Sequence, residues 1–276
     1  MPLITLTTDF GTKDHFVGTI KGAIYTEFID AKIVDISHQI SPFNITETSY
    51  ILKNAYRNFP KGSIHIVGVD SELSVENRQI AIELDGHFFI CSDNGIISMI
   101  ASEINPDKMV EITIHNTLAS SFNVLDVFVK VACHIARGGT LDVIGKPIDH
   151  YKKLNEVNPL INDERNRISG CVIYIDNYGN VVSNITQKLF QEIGKGRPFE
   201  VIARNYTFDK ILQQYNEVVN FSIPPENRQD DGKKLAIFNS AGYLEISIYK
   251  SNLKTVGGAS SLLGLQYRDS ITVKFY

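Results

Sequence analysis

Carboxylates stand where several apolar runs of this chain stop. Asp9 closes the β-branched run Ile4, Thr5, Leu6, Thr7, Thr8, Gly11 supplies a turn, and Asp14 follows; Asp70 ends a second run that opens at Ser63, and Asp176 ends a third that opens at Cys171. An ionised carboxylate accepts several hydrogen bonds at once, which suits the paired hydroxyls of a ribose, an ammonium group or a divalent cation. Two chemistries follow. One is capture of a cationic, hydroxyl-bearing small molecule; the other is Mg²⁺-assisted phosphoester hydrolysis through Asp9, Asp14, Asp70 and Asp176. Taken singly, each residue also has a structural reading, capping a turn or complementing a helix dipole. The seven histidines show no metal-ligand spacing.

The elements that must position these groups alternate between strand-like and helix-like over the first half of the chain. Behind the opening turn, Phe16, Ile20, Ala23, Ile24 and Phe28 recur at helical spacing from a Thr12 cap, which puts Asp14 in the first helical turn. Asn44 and Glu47 form a capping-box pair ahead of a helix carrying Ile51, Leu52, Ala55 and Phe59 as far as Pro60. A hairpin turns at Asp85-Gly86, and a helix is expected from Val127 to about Arg137, with Asp126 at its start and Gly138-Gly139 closing it. Ligand crevices of open α/β sheets lie at the carboxyl ends of the strands. If the strands ending at Asp9 and Asp70 are parallel neighbours, the two carboxylates meet there.

From Ser169 the pattern changes. Leu244, Ile246 and Ile248 alternate with Tyr243, Glu245 and Ser247, and Ile271, Val273 and Phe275 alternate with polar residues, as half-buried strands do. The expected architecture is an α/β N-terminal domain with a mostly parallel sheet (1–150), a polar linker (151–168) and a smaller all-β, barrel-like domain (169–276). Gly257-Gly258-Ala259 reads as a loop.

With 276 residues, 43% of them hydrophobic and 21% charged, there is material for two cores. A net charge of −4 offers no electrostatic footprint for nucleic acid or an anionic membrane. The opening MPLITLTTDFG has neither a basic segment nor an apolar run with a cleavage site, and no apolar stretch approaches the ~20 residues that span a bilayer, so a cytoplasmic protein is expected. Cys91, Cys133 and Cys171 sit in apolar segments and read as reduced core residues.

Thr8 to Asp14 (TDFGTKD), Asp35 to Ile45 (DISHQISPFNI), Asp85 to Gly95 (DGHFFICSDNG), Ile175 to Ile185 (IDNYGNVVSNI) and Asn239 to Ile246 (NSAGYLEI) together resemble the S-adenosylmethionine (SAM) hydrolase family, the SAM hydroxide adenosyltransferases, whose relatives include fluorinating and chlorinating enzymes. The resemblance covers nearly the whole chain. It implies a homotrimer that binds SAM at the subunit interface and converts it, by attack of water or hydroxide at C5′, to adenosine and L-methionine, with SAM as substrate and neither metal nor cofactor. By the same resemblance Asp9 matches the carboxylate that grips the ribose, Asp14 and Asp176 those near the methionine ammonium, Tyr178 an aromatic position, Asn180 an adenine contact and Ser240 a residue near the methionine carboxylate.

On the nucleophile side the chain departs from the family pattern. Asp70 is retained, but Ser71-Glu72-Leu73-Ser74-Val75 replaces a Gly-rich loop, Asn77 stands where the family has Arg, with Arg78 one later, and Asn123 stands where the family has His. Asp70, Arg78 and Asn123 are therefore the candidate water-handling set. Two other readings accompany hydrolysis: a SAM- or adenosine-binding protein that does not hydrolyse, and a member with another nucleophile or substrate.

Overall fold

The computed structural model describes residues 2–101, 104–114, 121–154 and 157–276, and the chain divides into two compact units, 1–156 and 157–276. In the first unit a seven-stranded sheet is ordered β2-β1-β3-β5-β4-β6-β7, with β1 Leu3–Thr8, β2 Lys32–Ser37, β3 Ile64–Gly68, β4 Gln79–Leu84, β5 His87–Ser92, β6 Lys108–Ile112 and β7 Gly145–Pro147. Pairings β1–β2, β1–β3 and β3–β5 are parallel; β4–β5, β4–β6 and β6–β7 are antiparallel. The sheet is thus mixed, parallel over its N-terminal strands only. The Asp85-Gly86 hairpin is the reason, since a two-residue turn with φ of +50° and +69° returns β5 beside β4 and reverses the direction of pairing.

Helices cover both faces. α1 (Phe16–Glu27) and α4 (Val129–Ala136) enclose one core with Ile4, Leu6, Ile64, Ile66 and Phe128; α2 (Ile45–Tyr56) and α3 (Ile96–Ile100) enclose another with Val67, Ile80, Ile82 and Phe89. Strand side chains alternate between the two, so β3 is buried on both faces. Asn44 caps α2 as expected, its Oδ1 accepting from the Glu47 N–H at 3.0 Å, and the helix ends at Tyr56, short of Phe59. A π-turn, Val124–Phe128, leads directly into α4, which therefore starts its winding ahead of Val127.

α1 departs from expectation. It opens at Phe16 behind His15, with no side-chain cap and no acid in its first turn. The cause is a pair of contacts with a segment distant in sequence: Gly11, at φ +67°, donates to the His38 carbonyl at 2.7 Å, and Thr12 Oγ1 accepts from Gln39 instead of capping a helix. Asp14 stays in the exposed loop before α1.

The second unit is built on an eight-stranded, barrel-like sheet ordered β12-β11-β15-β9-β10-β14-β13, with β8 added to β9. Its elements are β8 Leu160–Ile161, β9 Arg167–Ile175, β10 Val181–Thr186, α5 Gln187–Gly194, β11 Phe199–Ala203, β12 Tyr206–Phe208, β13 Lys234–Phe238, β14 Tyr243–Ile248, α6 Ala259–Leu262 and β15 Ser270–Phe275. Two helices make the unit β-rich, not all-β. Thr186 caps α5 by accepting from the Leu189 N–H at 3.1 Å, a signal already present in the sequence. In the segment read as a linker, the Lys152 and Leu154 N–H groups donate to Asp93 and Ser98, and β8 pairs with β9; residues 155 and 156 lie outside the described residues. Among the described residues, no helix is long and apolar enough to cross a membrane.

Candidate functional site

The chain path makes β1 and β3 a switch point, because β1 continues to β2 on one side while β3 lies on the other. Thr8 and Gly68 are register partners at its carboxyl end, so Asp9 and Asp70 emerge from adjacent strands. A Cβ on Gly68 would stand 3.1 Å from Val124 Cγ2, 3.2 Å from Thr8 Cγ2 and 3.3 Å from Phe10 Cε2. The absent side chain is what lets the two strand ends and the turn bearing Asn123 close together. Asn123 is buried there, immediately before the π-turn.

Asp9 is half-buried, and its Oδ2 accepts from the Phe43 N–H at 2.9 Å. Burial raises its pKa above the ordinary carboxylate value, the Phe43 hydrogen bond opposes that, and the charge of Asp70 adds to the rise. Asp70 itself adopts φ +45°, and Asn94 Nδ2 holds the bend by donating to the carbonyls of Val69 (3.1 Å) and Asp70 (3.2 Å). Behind Asp9, Thr8 Oγ1 shares a hydrogen bond with His38 Nδ1 at 2.7 Å, and Asp35 lies 3.1 Å from His38 Nε2 and 2.6 Å from Lys21 Nζ. Against the opposing effect of burial, these two partners lower the pKa of Asp35. Phe10, Phe16 and Phe122 pack with ring centroids 5.4–5.8 Å apart, an apolar wall beside the strand end. His38, Phe43 and Asn94 were not singled out from sequence. The motifs DISHQISPFNI and DGHFFICSDNG carried them.

Arg78 is occupied elsewhere. Its Nε donates to Asp93 Oδ2 at 2.9 Å and its Nη2 to the His150 carbonyl at 2.6 Å, while Asp93 Oδ1 takes the Lys152 N–H at 2.7 Å.

In the second unit, one turn gathers Asp176, Tyr178 and Asn180. Asp176 Oδ1 accepts from the backbone N–H groups of Tyr178 and Asn180, both at 2.8 Å, and its Oδ2 accepts from Asn180 Nδ2 at 3.0 Å. Asn180 is buried and Tyr178 exposed. Gly258 packs on that turn so closely that a Cβ would lie 2.5 Å from the Tyr178 carbonyl oxygen; the Gly257-Gly258 pair thus seats α6 against the chain's own backbone. Ser240 is exposed in the turn entering β14, and within β14 the buried Glu245 has its pKa raised by burial, with the charge of Asp176 adding to the rise. Among the described residues, no group of three or more His, Cys, Asp or Glu side chains is arranged to hold a metal ion.

Residues 4–145 match the model of the SAM hydroxide adenosyltransferase N-terminal domain, and residues 170–272 match that of the C-terminal domain. The chain belongs to the SAM hydroxide adenosyltransferase family. A relative from Methanocaldococcus jannaschii, named (R)-S-adenosyl-L-methionine hydrolase, is 30% identical over 99% of this chain and 96% of its own. A fluorinase from Actinopolyspora mzabensis is 20% identical over 92% of this chain and 94% of its own. Among solved structures, an uncharacterized conserved protein from Thermotoga maritima matches with a TM-score of 0.84 at 27% identity, covering 99% of this chain and all of the other. Family membership thus extends over both units.

Proposed function

We propose that this member of the SAM hydroxide adenosyltransferase family hydrolyses SAM to adenosine and L-methionine, water or hydroxide attacking C5′ and the sulfonium leaving as a thioether. The observation that carries the reading is the similarity to an (R)-S-adenosyl-L-methionine hydrolase over 99% of the chain. The geometry at β1 and β3 supports it: two carboxylates, an apolar aromatic wall and a buried amide converge at one strand edge. In this reading Asp9 accepts from both ribose hydroxyls, which fixes C5′. Asp14 and Asp176 attract the methionine ammonium, Tyr178 and Asn180 contact adenine, and Ser240 meets the methionine carboxylate. Asp70 takes the proton of the attacking water, and Asn123 orients that water through its amide. The sulfonium needs no protonation to leave, so alignment of the nucleophile is the main task, worth roughly 7–11 kcal/mol in favourable systems.

Arg78 enters this scheme as a positioning residue, since its guanidinium already serves Asp93 and the His150 carbonyl. The assembly is a homotrimer with ligand at the subunit interface, in the cytoplasm; sedimentation velocity tests the trimer, and a monomer at working concentration refutes it. One observation favours a second reading, a SAM-binding protein without turnover: an amide that cannot accept a proton at neutral pH stands at Asn123. Incubation of the protein with SAM in H₂¹⁸O decides between them. Methionine and singly ¹⁸O-labelled adenosine in the mass spectrum support hydrolysis; intact SAM with measurable binding refutes it and supports the second reading.

A further inference from the structure

Alternation along β14 assigns Tyr243, Glu245 and Ser247 to a solvent face, yet Glu245 is only 3% exposed and Ser247 is fully buried. A buried carboxylate is unfavourable unless its oxygens are hydrogen-bonded. Glu245 meets that condition with three side chains. Its Oε1 accepts from the Tyr215 hydroxyl at 2.9 Å and from Ser247 Oγ at 2.5 Å, and its Oε2 accepts from Asn239 Nδ2 at 3.1 Å.

The third of these contacts reaches the candidate site. Asn239 Oδ1 accepts from the backbone N–H groups of Ala241 (3.0 Å) and Tyr243 (3.1 Å), and the Gly242 N–H donates to the Asn239 carbonyl at 2.8 Å. One carboxamide therefore has its oxygen on the turn and its NH₂ on Glu245. Rotated by 180°, it would set oxygen against carboxylate and NH₂ against two N–H groups, both repulsive. Glu245 thus fixes which way the amide points, and the amide fixes the turn that contains Ser240.

We infer that Glu245 is a positioning residue for the candidate site, acting through the Asn239 carboxamide to set the Asn239–Tyr243 turn and with it Ser240, the group facing the methionyl end of SAM. The inference rests on the reading of Ser240 given under Proposed function. Glu245→Met removes both acceptor oxygens, and with them the hold on the Asn239 NH₂, while keeping length and bulk; Glu245→Gln alone does not, because its amide oxygen can face the Asn239 NH₂ while its own NH₂ donates to the Tyr215 and Ser247 oxygens. Asn239→Ala cuts the same link from the other side.

Calorimetric titration with SAM and with adenosine, which lacks the methionyl end, tests this. Thermal denaturation checks that each variant is folded. Glu245→Met and Asn239→Ala are both expected to lose about tenfold in SAM affinity with adenosine affinity unchanged, and Ser240→Ala to show the same selective loss. Asn239→Asp, which sets carboxylate against carboxylate, is expected to lose SAM affinity selectively, and adding Glu245→Gln, whose NH₂ then faces that carboxylate, is expected to recover it. Equal losses for SAM and adenosine, or no loss in either single variant, overturn the inference. If Ser240→Ala alone shows the selective loss, the inference fails and the reading of Ser240 stands; if Ser240→Ala shows none, both fail.

Discussion

Replacing Asp9 with Asn isolates the charge at the strand edge from its geometry. The amide oxygen keeps the acceptor that the Phe43 N–H uses at 2.9 Å, so the 35–44 connection stays tethered. What disappears is the negative charge. A hydrogen bond to a charged acceptor contributes about 1.5–3 kcal/mol, against about 0.5–1.5 for a neutral one. Two ribose hydroxyls on Asp9 then imply a loss of about 2–3 kcal/mol, roughly thirty- to 150-fold in Kd. Stability moves the other way. A carboxyl whose folded pKa is raised contributes stability that is present below its unfolded value and lost as pH rises through the folded one. Removing it also removes the repulsion from Asp70. The variant should therefore melt no lower than the parent at pH 7, with the two curves converging in acid. Calorimetry with SAM and adenosine, paired with thermal denaturation from pH 3 to 7, reads both halves. Unchanged affinity for both ligands would refute the ribose assignment; a large fall in melting temperature would refute the electrostatic account of Asp9.

Asn123→His supplies a proton acceptor where the family pattern has one, and it should raise kcat tenfold or more; steady-state adenosine release measures it, and an unchanged or lower kcat means that Asn123 does not limit turnover. Arg78→Ala leaves the buried Asp93 without its guanidinium and should cost about 2 kcal/mol of stability, with kcat per folded molecule falling less than tenfold. A hundredfold loss of kcat at unchanged melting temperature would make Arg78 catalytic instead. The buried rings of His65 and His87, 3.2 Å apart, are a pH-dependent element: burial pushes His65 down to about 3 and also lowers His87, so below the unfolded value near 6.5 the unfolded chain binds more protons. Stability should fall as pH drops from about 6.5 towards 3, by up to about 1.4 kcal/mol per pH unit for one ring. Urea unfolding of His65→Phe should show a shallower slope over that range, and an equal slope would refute the assignment.

Much of the first unit is legible in sequence because its signals are local. The Asn44 cap and the Asp85-Gly86 turn each depend on residues within a few positions, and both form as read. What stays hidden depends on partners distant in sequence. Thr12 has the composition of a helix cap, yet its hydroxyl is taken by Gln39, so Asp14 is left in a loop. Along β14 the alternation is present, but Tyr215, thirty residues away, and Asn239 bury the face that Glu245 occupies. Arg78 reads as a substitute for a shifted arginine until Asp93 and the His150 carbonyl are brought to it by the fold. At Gly68 the sequence offers no motif, because its importance lies in Val124, Thr8 and Phe10 arriving at the same point.

The same distinction bears on the nucleophile. The loop from Ser71 to Arg78 closes on itself, Ser74 Oγ accepting from the N–H groups of Glu76 and Asn77, and Arg78 then anchors its end to Asp93. With the N–H groups of Glu76 and Asn77 taken by Ser74, this loop presents fewer free backbone N–H groups to a ligand than an open one would. In the proposed hydrolysis, placing water falls to two groups near the strand edge, Asp70, whose bend is secured by Asn94, and the buried Asn123, whose neighbour Val124 packs where Gly68 leaves space. If alignment supplies most of the rate, hydrolysis persists with this reduced set; if proton removal supplies it, Asn123 sets the limit. The response of kcat to Asn123→His measures which of the two dominates.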